Sequence, residues 1–344
     1  MEETEHKCKR CGGKLIEEED GVFLCELCGA KFRKKYTESI QESEESVALA
    51  RVRLTPEDCP PSAEEGEHSE EEAELVKKRR KDGEALYAAA KKLYHAGSYE
   101  EALALYERSA LFGNAKAKFR IGVCYEFERG VEKSLETAVK WYEAAASEGN
   151  ATAAYFLGNC YFSGRGASLD HVEAAKWYET AGKLGKPEAQ YNLACCYAQG
   201  DGVEKDPEKA VEWYEKAAQL GYPRAQHNLG YCYETGFGVK KDLKTAVRWY
   251  HKAAGKGYVY SIFNLANCYF YGRGVRKDKR EAVSRYKIAA AKKDADAQYN
   301  LGVCYENGEG VRKSRQKAIM WYREAAENGN EKAAEALKTL EERT

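Results

Sequence analysis

A 36-residue period runs through most of this 344-residue chain and restricts what it can fold into. From residue 115 to residue 330 the sequence divides into six rows of equal length, with no insertion or deletion between them. All five tryptophans of the protein occupy one column, which reads Trp141, Trp177, Trp213, Trp249, Arg285 and Trp321. Other columns hold only tyrosine, only cysteine or only glycine. Such a period is typical of repeat architectures, in which each unit packs mainly against its neighbours.

Each row predicts two helices, A and B, joined by a glycine-containing turn. In the last row, Ala297, Leu301, Cys304 and Tyr305 recur with the spacing of an amphipathic helix. The turn Asn307–Gly310 follows, where glycine readily adopts the positive φ that a tight turn needs. Helix B begins after a column of good N-cap residues, namely Ser134, Asp170, Asp206, Asp242, Asp278 and Ser314. Because one helix pair cannot bury both of its faces, the rows are expected to stack into an all-α superhelical solenoid.

Three segments of the last row resemble a known repeat signature. Tyr299–Gly302, Gly308–Val311 and Ala318–Ala326 are similar to the Sel-one-like repeat (SLR) family of the tetratricopeptide superfamily. Residues 83–114 resemble a tetratricopeptide repeat proper, because they lack the Gly-x-Gly-Val insertion, and residues 331–344 are predicted to cap the far end. The resemblance implies an α/α solenoid that acts as an adaptor or scaffold for protein complexes.

Residues 1–36 are predicted to form a separate metal-binding module. Two Cys-x-x-Cys pairs lie 13 residues apart, which is typical of a tetrahedral zinc–thiolate site. The arrangement resembles a zinc ribbon, with a β-hairpin that carries the two pairs. The expected ligands of one structural Zn²⁺ are Cys8, Cys11, Cys25 and Cys28. Four protein ligands leave no open position for a substrate, although iron in a Cys₄ site also fits the spacing.

An acidic stretch separates this module from the repeats. Residues 37–76 contain 13 acidic and 2 basic residues, and the basic run Lys77–Lys81 follows. We predict a disordered linker over residues 37–82, since such a composition buries too little surface to offset the entropy of ordering. The basic run matches a nuclear-import pattern but also suits a solvated lead-in to a helix.

Composition excludes several other classes of protein. Hydrophobic residues make up 43% of the chain but form no run long enough to span a membrane. We find no secretory signal and expect a cytoplasmic protein with no membrane partner and no small-molecule substrate. Residues 83–344 carry a mild basic excess that is spread over a long body, which is not typical of nucleic-acid binding.

A column of cysteines is expected to be buried rather than cross-linked. Equivalent helices of adjacent repeats lie about 8–10 Å apart, whereas a disulfide needs Cα atoms within about 7 Å. The column comprises Cys124, Cys160, Cys196, Cys232, Cys268 and Cys304. Cys195, just outside the column, is predicted to be an exposed thiol, and Cys59 is a lone thiol of the linker.

Helix A of each row carries a second stripe, at row positions 2, 6, 9 and 13, opposite the packing columns. In tetratricopeptide relatives this stripe lines a concave groove, where asparagines hydrogen-bond a bound peptide backbone. The alternative is that the asparagines satisfy groups within their own repeats. The predicted groove residues are Arg120, Phe156, Asn159, Asn192, Asn228, Tyr231, Asn264, Asn267, Tyr271 and Asn300. Aromatic side chains there, with Phe127 and Tyr260, are candidate anchors for a partner.

The sequence therefore favours a non-enzymatic adaptor that binds a protein or peptide partner, with the zinc module as a second interaction site. One alternative is a nucleic-acid-associated regulator in which the zinc module is the reader. A less favoured one comes from the resembled family, whose secreted, cysteine-rich members are linked to β-lactam hydrolysis. The Ser-x-x-Lys pattern occurs at Ser284–Lys287 and Ser314–Lys317, but the companion motifs Ser-Asp-Asn and Lys-Thr-Gly are missing.

Overall fold

The computed structural model describes residues 15–18, 22–25, 31–33 and 70–342, and the chain separates into two compact units, residues 1–52 and 53–344. In the first unit, the strands Leu15–Glu18 (β1), Val22–Cys25 (β2) and Lys31–Arg33 (β3) form an antiparallel sheet in the order β1-β2-β3.

One of the four predicted zinc ligands lies among the described residues. Cys25 is the last residue of β2 and pairs with Leu15 of β1. Cys8, Cys11 and Cys28 lie outside the described residues, as does Cys59. The zinc site therefore stays a prediction.

The second unit is a helical repeat solenoid with fifteen described helices. Two helices precede the six rows, two belong to each row and one follows them, so the predicted pairing of helices A and B is confirmed. Each helix packs mainly against the helices before and after it in sequence. The helices are α1 Glu70–Ala96, α2 Tyr99–Leu111, α3 Ala115–Glu126, α4 Leu135–Ser147, α5 Ala151–Ser163, α6 His171–Lys183, α7 Pro187–Gln199, α8 Pro207–Gln219, α9 Pro223–Thr235, α10 Leu243–Gly255, α11 Val259–Tyr271, α12 Lys279–Ala291, α13 Ala295–Asn307, α14 Arg315–Glu327 and α15 Glu331–Glu342.

The predicted N-caps begin all six B helices. In repeat 3, Asp206 Oδ1 accepts a hydrogen bond of 3.0 Å from the backbone N–H of Lys209, and Pro207 occupies the first helical position. The side chains of the other five N-caps accept equivalent bonds. This satisfies a backbone donor that has no partner within the helix.

The predicted packing columns form the core between the repeats. The cysteine column is buried, with the thiols free, as the sequence predicted. Burial raises the pKa of Cys124, Cys196, Cys232 and Cys304 to about 12. Cys195 differs from the prediction, because it is only partly exposed and its Sγ lies 3.3 Å from the Tyr214 hydroxyl.

The linker prediction was wrong for its last thirteen residues. Helix α1 begins at Glu70 and continues through Gly83, where the sequence analysis placed the first repeat. The basic run Lys77–Lys81 lies on this helix with exposed side chains, as a solvated lead-in would. Gly83 is buried, and its carbonyl accepts a 2.6 Å hydrogen bond from the Ser109 hydroxyl. The second half of α1 packs on α2, which favours the helix more than local composition alone indicates.

Candidate functional site

The predicted groove residues lie on helices A of the six repeats, and we call row positions 2, 6, 9 and 13 of these helices the A-helix face. Their exposure divides them into two groups. The exposed group consists of Tyr231 and Tyr271, whose side chains are 53% and 63% exposed. The partly buried group consists of Arg120, Phe156, Asn159, Asn192, Asn228, Asn264, Asn267 and Asn300.

The asparagines at position 6 bind the preceding repeat. Asn192 hydrogen-bonds the Tyr178 hydroxyl of repeat 2, and its Nδ2 donates to Asn159 Oδ1 at 3.3 Å. The same amide-to-tyrosine bond recurs in the next three repeats, between Asn228 and Tyr214, Asn264 and Tyr250, and Asn300 and Tyr286. Each of these amides therefore links two repeats. These asparagines therefore hydrogen-bond groups inside the solenoid, which the sequence analysis left open as the alternative to binding a peptide.

Each buried tyrosine hydroxyl also has a partner in its own repeat, supplied by one of two positions. In repeats 2 and 5 the partner is an asparagine at position 9, with Tyr178 donating to Asn159 Oδ1 at 2.8 Å. In repeats 1, 4 and 6 it is a glutamate at position 12, with Tyr250 donating to Glu234 Oε2 at 2.6 Å. In repeat 3 it is Cys195. Burial raises the pKa of all six tyrosines, so the hydroxyls stay protonated, and the five that contact asparagine or glutamate donate to it.

This exchange between positions 9 and 12 was missed by the sequence analysis, although the columns contain it. Where position 12 is glutamate, position 9 is Val123, Tyr231 or Val303. The valines cannot accept the bond, and Tyr231 is 53% exposed rather than turned to the buried hydroxyl. Two of the glutamates also form an ion pair with an arginine of the following repeat. Arg165 lies 2.9 Å from Glu126, and Arg273 lies 3.0 Å from Glu234.

Phe156 was expected to be an anchor, but it packs within the solenoid. Its ring centroid lies 5.2 Å from that of Phe119 and 5.6 Å from that of Tyr142. Arg120 lies beside the same cluster, with its guanidinium 5.9 Å from the Phe119 ring. Both residues therefore stabilise the boundary of repeats 1 and 2 and present little free surface.

Three exposed tyrosines remain on the A-helix face, all in repeats 4 and 5. They are Tyr231 at position 9, Tyr260 at position 2 and Tyr271 at position 13. Tyr260 lies over His227, with 6.2 Å between the ring centroids, and burial lowers the pKa of that histidine to about 4. The Arg273 guanidinium lies 5.5 Å from the centroid of the Tyr271 ring. These tyrosines offer large, amphipathic contact surfaces that the solenoid itself leaves uncovered.

The part of the chain that the structure describes contains His, Ser, Cys and acidic side chains of the kinds that catalysis and metal binding use. Among these residues, no group of three or more His, Cys, Asp or Glu side chains is placed to hold a metal ion. His227 Nδ1 lies 2.9 Å from the Ser261 hydroxyl, but Ser261 is fully buried. Ser314, from one of the Ser-x-x-Lys patterns, is an N-cap. Across the described helices, none combines the length and apolar character needed to cross a bilayer.

Comparison with known proteins agrees with the geometry of the repeats. The Sel1 repeat model matches residues 115–150, 151–186, 187–222, 223–258, 259–294 and 295–330. The structure is similar to c5321, a protective antigen of uropathogenic Escherichia coli strains that displays an SLR fold, with 31% identity and a TM-score of 0.71. That similarity covers 78% of this chain and 58% of c5321, so the chain spans little more than half of that protein.

A Sel1 repeat protein from Oxalobacter formigenes is also similar, with 34% identity and a TM-score of 0.62 over 70% of this chain and 96% of that one. No protein among those with curated descriptions matches the sequence significantly. Solenoids built from Sel1 repeats commonly serve as protein-interaction scaffolds and are typically non-catalytic.

Proposed function

Because the chain belongs to the Sel1 repeat family, we propose that it is a non-enzymatic scaffold that binds a protein partner along its A-helix face. The observation that carries this proposal is the exposure of Tyr231, Tyr260 and Tyr271 on one face of repeats 4 and 5. Aromatic side chains of this kind supply much of the binding energy at protein interfaces.

The surroundings of these tyrosines suit a protein surface better than a small molecule. Small-molecule sites are concave and bury most of their ligand. Tyr231, Tyr260 and Tyr271 are each more than half exposed, so they present contact area on an open face. The asparagines of the face hold the repeats together and so fix the backbone that carries the tyrosines. A pre-organised face of this kind loses little conformational entropy when a partner binds.

The test compares two triple variants of the full chain in affinity purification from the native host, with quantitative mass spectrometry. Tyr231→Ser, Tyr260→Ser and Tyr271→Ser together should reduce recovery of the partner by at least about tenfold, because each removes an interface anchor. The matched control is Leu184→Ser, Leu220→Ser and Ile288→Ser, which removes similarly exposed apolar side chains away from the A-helix face.

If the tyrosine variant recovers as much partner as the unaltered chain, or if both variants lose the partner equally, the A-helix face is excluded as the binding site. Substituting the asparagines is a poorer test, because Asn228, Asn264 and Asn300 each bond a buried tyrosine of the repeat before. Their loss would weaken the solenoid as well as any interface.

We also propose that residues 1–36 hold one structural zinc ion through Cys8, Cys11, Cys25 and Cys28, and that this module is a second interaction site. The spacing of the two Cys-x-x-Cys pairs supports this assignment. Elemental analysis of the purified full chain should find one zinc per chain. Cys11→Ser with Cys28→Ser should abolish it, since two thiolates bind zinc far more weakly than four. Iron in place of zinc, or zinc retained by the double variant, would contradict the assignment.

A further inference from the structure

The turns between helices A and B divide the repeats into two electrostatic classes. At row positions 18 and 19, repeats 1, 2 and 3 read Glu-Lys, Ser-Leu and Glu-Lys, which carry no net charge. Repeats 4, 5 and 6 read Lys-Lys, Arg-Lys and Arg-Lys. We call the second set the basic loop edge, and it consists of Lys240, Lys241, Arg276, Lys277, Arg312 and Lys313.

These six side chains are exposed, and none forms an ion pair with another described residue. The fold does not require their charge. In repeat 2 position 19 is Leu169, which is 64% exposed. It has the same place in its turn as Lys277, since a Cβ on Gly164 would meet the Cβ of Leu169 and a Cβ on Gly272 would meet that of Lys277. The same turn therefore forms with a neutral side chain, and the run of cations needs another explanation.

Neighbouring residues strengthen the positive charge of this edge. Repeats 4 and 5, residues 223–294, contain 16 basic and 5 acidic residues, whereas repeat 3, residues 187–222, contains 3 basic and 7 acidic ones. Between repeats 5 and 6 the edge borders a shallow cavity of about 700 Å³, lined by Arg276, Lys277 and Arg280 and by Lys279, which pairs with Glu309 at 2.7 Å.

The acidic residue of that cavity, Asp278, is committed to the fold. Its Oδ1 accepts backbone hydrogen bonds from Arg280 and Glu281 at the start of α12. The equivalent cavity between repeats 3 and 4, about 510 Å³, is lined instead by Lys205, Asp206 and Glu208. The same cavity between adjacent repeats is thus lined mainly by cations at repeats 5 and 6 and by residues of both signs at repeats 3 and 4.

We propose that the basic loop edge binds an extended acidic segment of the protein partner, an inference that rests on the proposed scaffold function and names the chemistry of the partner. Equivalent helices of adjacent repeats lie about 8–10 Å apart, so the three turns span about 20 Å. An extended peptide covers that distance with about six residues. Unpaired cations on a rigid edge attract such a segment and fix its register.

A nucleic acid fits this edge less well. A polyphosphate that followed the edge would leave it within two or three repeats, because repeat 3 is acidic and repeat 6 contains equal numbers of acidic and basic residues. A short acidic peptide meets cations along its full length. The exposed tyrosines belong to the same two basic repeats, so one partner could contact both features.

Fluorescence anisotropy with the full chain tests this inference, using fluorescein-labelled decaglutamate and decauridylate as probes. The loop variant is Lys240→Glu, Arg276→Glu and Arg312→Glu, which gives repeats 4 to 6 the Glu-Lys sequence of repeats 1 and 3. The control is Lys91→Glu, Lys92→Glu and Lys332→Glu, with the same change in net charge at exposed positions near the ends of the solenoid. A gain variant, Glu204→Arg, extends the edge into repeat 3, which adjoins repeat 4.

We expect decaglutamate to bind the loop variant at least about tenfold more weakly than the unaltered chain, the control within about twofold, and the gain variant more tightly. Equal weakening in loop and control variants, or no binding of decaglutamate, would overturn the inference. Decauridylate binding about tenfold more tightly than decaglutamate would replace it with nucleic-acid binding.

The native partner separates this inference from the proposed function. If the tyrosine variant loses the partner but the loop variant retains it fully, the proposed scaffold function is supported. Binding of an acidic segment by the basic loop edge is then contradicted. A partner lost by the loop variant and kept by its charge-matched control supports the inference. Far-UV circular dichroism on each variant establishes that the solenoid is folded.

Discussion

Gly238→Ala is expected to destabilise the solenoid by about 2–5 kcal/mol, because two costs coincide at this turn. Gly238 has φ +64°, a conformation that alanine adopts only with strain. A Cβ at this position would also overlap the backbone carbonyl of Pro207, the first residue of α8 in the preceding repeat. The glycine is therefore the point at which the turn of repeat 4 touches the backbone of repeat 3.

Gly185→Ala provides the matched control. Gly185 has φ +84°, but a Cβ there would meet no atom within 4 Å. We expect it to cost only the backbone strain, about 1–2 kcal/mol. Chemical denaturation followed by circular dichroism should give a clearly lower midpoint for Gly238→Ala than for Gly185→Ala. Equal midpoints would mean that the turn moves away from Pro207 at little cost.

This glycine shows where the sequence stops being informative about the fold. The column of glycines at position 16 predicts turns correctly, because positive φ is a local property. The contact with Pro207 depends on how closely successive repeats approach, which no local pattern contains. The N-caps were predictable for the same reason as the turns, since an Asp206 carboxylate bonds a backbone N–H only three residues away. The start of helix α1 at Glu70 was missed because the charged composition of residues 70–82 predicted disorder, whereas the helix extends through them from the half that packs on α2.

The sequence predicted which residues lie on the A-helix face, but not which of them are exposed and which bond other repeats. The period places Phe156 and Tyr231 on the same face, yet the ring of Phe156 packs on Phe119 whereas Tyr231 stays 53% exposed. Exposure depends on the neighbouring repeat, so a single column cannot assign it. The asparagines pose the same problem, because an amide on a predicted groove can bond a ligand or a tyrosine of the adjacent repeat. Asn228 bonds Tyr214 of the preceding repeat.

Glu126→Ala is expected to cost about 2–4 kcal/mol, and the internal pattern of the repeats predicts a residue that restores part of the loss. Glu126 accepts the hydrogen bond of the Tyr142 hydroxyl and forms an ion pair with Arg165 of repeat 2. Tyr142 is fully buried, so the substitution leaves its hydroxyl without an acceptor in its own repeat. Arg165 costs less to leave unpaired, since its side chain is 44% exposed.

Adding Val123→Asn should recover at least about 1 kcal/mol, because it supplies the acceptor from position 9 as Asn159 does for Tyr178 in repeat 2. Denaturation midpoints of the single and double variants measure the recovery, and Tyr142→Phe provides the control. Without the hydroxyl there is nothing to satisfy, so Val123→Asn should give no recovery in that background. Recovery that persists there would show that asparagine stabilises this site by packing, and that positions 9 and 12 do not exchange one hydrogen-bonding role between them.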